Sequence, residues 1–262
     1  MSESWSLTDV ELIMLWDSLF RDRLPTPLFA LQRGSNVDDW EVLAADARAA
    51  LRTRDDGALY DALTRVARAD VLVRLHAVDP RNQQDPATRL RVLGARQGAV
   101  AVLIRQLPGE TVWHSGGFVI TMGEAERLAG AMAGTLPPCP QASGPDIPLA
   151  TRQPGHTGHT GHTGHSPAHA DYLEAERRST AWLTHPVDRA GAFEIVQGSS
   201  IFGPRGITPY RVSWRDVTGI GRYAVAENAE PVASPADRHR LEAMIAAEIA
   251  KVLQTLEDEH CA

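Results

Sequence analysis

Polar and apolar positions alternate with two different periods along the chain, and the first is helical. Thr8 to Glu11 form a capping box, in which the Thr hydroxyl and the Glu carboxylate meet backbone donors that the first helical turn leaves without partners. Leu12, Leu15, Trp16 and Leu19 then recur about one turn apart, and Pro25 with Pro27 ends the element. Ser35 and Asp38 start a second helix with Trp40, Leu43, Ala44, Ala47 and Leu51 on one face. A third follows the Asp55-Asp56-Gly57 break, with Leu59, Leu63 and Val66 inward. Three amphipathic helices predict an N-terminal bundle.

From Val71 the period becomes two. Val71, Val73 and Leu75 alternate with Leu72, Arg74 and His76, and Leu90 and Val92 lie between Arg89, Arg91 and Leu93, as in strands with one wetter face. The apolar run 99–104 suits a central strand, joined to its predecessor by the short turn Arg96, Gln97, Gly98. Thr111 to Ser115 is expected to continue the meander, and a second capping box, Thr121 to Glu124, predicts a helix over 122–134. Residues 136–167 are rich in Pro, Gly, Thr and His, including the repeat GHTGHTGHTGH, and read as a linker or exposed loop. A helix over about 168–184 follows, then a strand at 193–196. Ser234-Pro235 is expected to cap a terminal helix carrying Leu241, Ile245, Glu248, Ile249, Val252 and Leu256 as a mostly apolar stripe, whose exposed face is a candidate partner surface.

Between these lies a hairpin. Tyr210, Val212 and Trp214 alternate with Arg211, Ser213 and Arg215, Asp216 and Gly219 supply turn chemistry, and a second strand runs from Ile220 to Ala226. Gly219-Ile220-Gly221-Arg222 opens a strand, whereas a phosphate-cradling loop opens a helix, so a nucleotide site is excluded on context.

This hairpin, with Asp216 followed by Gly221-Arg222-Tyr223 and a Pro-containing link into a terminal helix, resembles the EspG family of type VII (ESX) secretion chaperones. The order of elements extends the resemblance over nearly the whole chain. It implies an α+β fold with a central, mainly antiparallel sheet flanked by N-terminal and C-terminal helical bundles in two quasi-repeated halves. Residues 1–135 and 168–262 would form the halves of one domain, with 136–167 as linker. It also implies a cytosolic, non-enzymatic adaptor without cofactor that holds the helical tip of the PPE subunit in a PE–PPE heterodimer, keeps it soluble and directs it to an ESX system. In the family the client meets the loop joining the second and third strands, the adjoining sheet and the C-terminal bundle. Counted along this sequence, that loop is Arg96, Gln97 and Gly98, much shorter than the long polar version of several members, and equally an ordinary hairpin connector. Gly221, Arg222 and Tyr223 match the family pattern and are expected to be structural.

Composition agrees with a folded protein whose partner is protein. Of 262 residues, 43% are hydrophobic and 23% charged, and a net charge of −7 disfavours a nucleic-acid partner. Lys251 is the only lysine among 26 basic residues, an Arg bias that, with abundant Ala, fits a high-GC actinobacterial genome. No apolar run approaches the ~18 residues that cross a bilayer, and the N-terminus lacks the basic start and apolar core of a signal peptide, so a cytoplasmic protein without membrane insertion is expected. Cys139 and Cys261 have neither disulfide-framework nor zinc-finger spacing.

His156, His159, His162 and His165, at a period of three, are able to chelate a metal; the Gly-Thr repeat provides no rigid second shell, which favours weak adventitious binding over a built site. A metal-handling protein is nonetheless the alternative reading. Ser115 beside His114, and Ser199-Ser200, lack a nucleophile elbow, so no catalytic residue is assigned. Asp55-Asp56 and Glu257 to Glu259 read as a solvated turn and a solvated end, and His76 as a wet-face residue. Trp16, Trp40 and Trp182 read as core, while Trp113 and Trp214 are candidates for a groove or seam. Apolar surface reserved for a client predicts a weak homodimer when the client is absent.

Overall fold

The computed structural model describes residues 3–32, 34, 36–54, 56–149, 167–227 and 230–261. In chain order the elements are β1 (Glu3–Leu7), α1 (Asp9–Phe20), α2 (Val37–Arg54), α3 (Gly57–Ala67), β2 (Val71–Val78), β3 (Leu90–Gln97), β4 (Val100–Pro108), β5 (Ser115–Glu124), α4 (Leu128–Ala133), β6 (Ile147–Pro148), α5 (Pro167–Thr184), β7 (Val187–Gln197), β8 (Tyr210–Val217), β9 (Gly221–Ala226), β10 (Val232–Pro235) and α6 (Arg238–His260). The fold is α+β. One sheet runs β1-β5-β4-β3-β2-β7-β8-β9-β10-β6, every ladder antiparallel. Two four-stranded meanders, β2 to β5 and β7 to β10, lead outward from the central β2–β7 pair, and each is followed by a helix, α4 or α6.

The pleat sorts side chains to two faces. On one, Val71, Val73 and Leu75 of β2, Phe193 and Ile195 of β7 and Trp214 of β8 are buried against α4 and α6. On the other, α1, α2 and α3 cover the first meander, with Leu93, Ile104, Phe118 and Ile120 beneath them. Over the second meander that face carries only a small cluster around Trp182 of α5 with Val187, Tyr223 and Val225. Among the described residues, nothing covers the middle of the face between these two.

Local signals explain most elements. The Thr8 capping box forms with Glu11 N–H donating to Thr8 Oγ1 at 3.1 Å and Thr8 N–H to Glu11 Oε2 at 2.7 Å. Leu59, Leu63 and Val66 are buried as their spacing predicts. The turn expected at Arg96, Gln97 and Gly98 is shorter: Arg96 and Gln97 belong to β3, paired with Ala101 and Val100, and Gly98-Ala99 joins β3 to β4, with Gly98 at φ 56°, a conformation glycine adopts without a Cβ penalty.

One strand is added and four local readings are corrected. The strand β1 was not foreseen: Trp5 and Leu7 face the core and Trp5 pairs opposite Ile120, a pattern too short to stand out before the capping box. The helix expected over 122–134 begins later, with a 3₁₀ turn at Ala125–Arg127 and then α4, because Thr121 is paired to Leu103 on one side and Ser4 on the other and cannot cap a helix. Residues 111–114 form a turn, His114 N–H donating to Thr111 C=O at 3.1 Å, and the strand starts at Ser115. The terminal helix is capped by Asp237, which accepts from Arg240 N–H at 2.8 Å, while Ser234-Pro235 ends β10. Helix α1 stops at Phe20, before Pro25, where Arg21 takes a left-handed conformation.

Residues 136–149 run beside β9 and β10. Arg222 N–H donates to Pro140 C=O at 2.8 Å, Ala142 N–H to Arg222 C=O at 3.2 Å, and β6 pairs with β10. The rest of the Pro/Gly/His-rich segment, including His156, His159, His162 and His165, lies outside the described residues.

Candidate partner-binding site

The open middle of the sheet is a groove of about 810 Å³, floored by β2, β7, β8 and β9. Because successive residues of a strand point to opposite faces, register alone sets its floor in three rows. The first row holds Arg74 opposite Glu194, Glu194 opposite Arg211, and then Glu227, whose N–H bonds Arg211 C=O. Arg74 Nη1 lies 3.1 Å from Glu194 Oε2 and Arg211 Nε 3.5 Å from Glu227 Oε1. The second row is His76, Ala192, Ser213 and Val225, whose small central side chains leave a trough. The third holds Val78, Ala190 and Arg215.

Arg215 builds one wall. Its guanidinium donates to the C=O groups of Trp182 (2.9 Å), Leu183 (3.0 Å) and His185 (3.3 Å) and stands 4.6 Å over the Trp182 ring. A cation there satisfies carbonyls that the end of α5 leaves unpaired and favours the helix dipole. Leu183, 55% exposed, forms the rim beside it. Thr26 and Pro27, joined by a cis peptide, flank the groove, and Leu149 and Pro231 also line it. Desolvation, then the charges of Arg89 and Arg91, lower the His76 pKa below its ordinary 6.5 and so favour the neutral imidazole.

Of the residues singled out in the sequence, His76, Trp182 and Trp214 line this groove, whereas the partner-binding candidates Arg96, Gln97 and Gly98 do not. Arg96, Gln97 and Gly98 sit at the other end of β3, where Arg96 Nε donates to Gly98 C=O (3.2 Å), Gln97 Nε2 to Arg68 C=O (3.3 Å) and Gly98 N–H to Asp70 Oδ2 (2.7 Å). Counting β1 moves the loop between the second and third strands to residues 79–89, a polar stretch held by its own hydrogen bonds. Arg81 ties that loop to the sheet through Asp188, 2.9 Å away, at the end of the groove lined by Val78.

The other candidates fall elsewhere. Asp216, read as a turn residue, is in β8, and its carboxylate receives Arg222 Nε at 2.7 Å and Nη2 at 3.0 Å. Arg222 also donates to Pro137 C=O at 2.9 Å and stands 4.9 Å over the ring of Trp214, a residue that is buried and also lines the groove. Trp113 is 55% exposed, edge-on to Phe29. Trp40 is only partly buried, Trp16 and Trp182 are buried. The Ser115 hydroxyl bonds the Gly117 backbone, and the His114 ring meets Thr111 Oγ1 at 2.8 Å. Ser200 donates to Glu259, which is largely buried and also accepts from Gln197 Nε2 and Ile201 N–H. Among the described residues no group of three or more His, Cys, Asp or Glu is placed to hold a metal ion, and none of the helices is long and apolar enough to cross a membrane.

The family model described as EspG family matches residues 8–247. The chain is similar to a solved structure of the Mycobacterium tuberculosis type VII secretion system chaperone EspG5 in complex with a PE25–PPE41 dimer, with 14% identity, a TM-score of 0.57, and coverage of 97% of this chain and 96% of that one. At that identity the likeness shows a shared fold. No curated protein matches the chain.

Proposed function

The chain belongs to the EspG family, and from that premise we propose that it is a type VII secretion chaperone that caps the helical tip of the PPE subunit in a PE–PPE heterodimer, in the cytoplasm and without catalysis. The observation that carries this reading is the open groove on the sheet face, whose Ala192–Ser213 trough admits apolar side chains between charged flanks. The solved EspG structure it resembles was determined with a PE–PPE dimer bound. Burying a client's apolar tip contributes roughly 25 cal/mol per Å², with polar contacts at the rim setting which client is accepted, so holding needs no nucleotide.

The loop 79–89 at the groove's end is the proposed second contact, and the Arg96-Gln97-Gly98 turn and the outer face of α6 are contacts to be tested beside it. The symmetric strand order supports two quasi-repeated halves, 1–135 and 168–262, flanked by helices and joined through 136–167 as one domain. The metal-handling alternative draws no support from the described residues or from the family match.

Coexpression with the PE–PPE pairs of the same genome, followed by pulldown and size-exclusion chromatography, tests the function. A stable heterotrimer with a solubilised PPE subunit is expected, and Ala192→Trp, which fills the trough from an exposed face, is expected to abolish it while the protein stays folded. Capture of no resident pair would overturn the client assignment; unchanged capture by Ala192→Trp would move the contact off the groove.

A further inference from the structure

The first row of the groove floor is more than a set of surface ion pairs. Arg74, Glu194 and Arg211 come from three neighbouring strands, Glu227 directly follows the fourth, β9, and the four alternate in sign. All four line the groove, with side chains between 32% and 55% exposed. Ion pairs so exposed add little to folding, which leaves their arrangement to be explained by what they face. The adjacent Arg215 is engaged by the end of α5, and burial with Arg89 and Arg91 disfavours a charge on His76, so among the described floor residues this row supplies the charge open to a partner.

We infer that this row is the specificity determinant of the groove, selecting and orienting a helical-hairpin tip by meeting both of its polar ends while the trough takes its apolar residues. The inference rests on the chaperone reading. A hairpin tip presents unpaired carbonyls where one helix ends and unpaired N–H groups where the next begins, partial charges of opposite sign on neighbouring helices about 8–10 Å apart. A floor of one sign would attract one helix end and repel the other. Alternating guanidinium and carboxylate groups on strands about 4.8 Å apart offer a partner to both, and the sequence of signs fixes which helix lies on which side. Client side chains of matching charge would add to the same discrimination.

Reversing the row in place, Arg74→Glu, Glu194→Arg, Arg211→Glu and Glu227→Arg together, keeps each internal pair complementary and leaves the trough untouched. The probe is the PE–PPE pair captured by the wild-type chain, with affinity measured by biolayer interferometry at low and high salt and folding checked by circular dichroism. A loss of about tenfold or more at low salt, shrinking at high salt, is expected. Smaller losses would overturn the inference and leave a trough that reads shape alone. If the reversed protein does not fold, Glu194→Gln with Arg211→Gln removes the two central charges, and an affinity loss below about threefold would overturn it equally. A wild-type chain that captures no pair would sink the chaperone reading and this inference with it, whereas a bound wild type with an equally bound reversed variant sinks only the charge row.

Discussion

Asp216→Ala tests the clasp that holds residues 137–142 on the sheet. The wild-type pair is bidentate at 2.7 and 3.0 Å, with side-chain exposures of only 4% for Arg222 and 9% for Asp216. Removing the carboxylate leaves the guanidinium buried with the Pro137 carbonyl and the Trp214 ring, neither of which balances its charge. Breaking a buried pair in this way costs about 3–5 kcal/mol. Against a typical total of 5–15 kcal/mol, and at about 2–4 °C per kcal/mol for a chain of this size, the melting temperature should fall by ~6–20 °C. Thermal melting by circular dichroism reads that shift. Hydrogen exchange should locate it, because the Arg222 and Ala142 amides that bond across the strap would lose protection. Replacing both partners, Asp216→Leu with Arg222→Met, should recover about half of the loss, since no unpaired charge remains. A single variant that melts within ~2 °C of wild type, or a double variant no better than the single, would refute the reasoning.

Two further outcomes follow from the same region and from the end of α6. Gly221→Ala should destabilise by about 1–3 kcal/mol in a denaturant titration, because φ is +118° and a Cβ would lie 2.7 Å from Pro140 O and 2.9 Å from Ala142 Cα; an unchanged midpoint would mean that the strap yields freely. The Gln197 side-chain N–H, with Ser200 and Ile201, holds the Glu259 carboxyl below its ordinary value of 4.5. Its contribution is therefore fully present above about pH 4.5 and lost as pH falls through the lower folded value, so acid unfolding should be steeper for wild type than for Glu259→Gln, and superimposable acid limbs would reject the assignment.

How much was legible in the sequence depended on the range of the interaction that decides each element. The Thr8 box, the inward face of α3, the alternation of β2 and the β8–β9 hairpin rest on neighbours one to four residues away, so residue types and spacing determined them. The sequence also carried, through the order of its elements, the family to which the chain belongs. Where two signals competed, tertiary pairing decided. Thr121 and Glu124 have the capping pattern, yet hydrogen bonding to strands 18 and 117 residues earlier, at Leu103 and Ser4, keeps Thr121 in β5. Asp216 has turn chemistry, yet Arg222 across the hairpin takes its carboxylate. The groove is the extreme case: its charge row joins positions 74, 194, 211 and 227, which no local window relates, and it exists because β2 and β7 meet in one register. Side-chain identity thus set what each strand face offers, and only the packing of two meanders decided which faces are covered and which stays open to a partner.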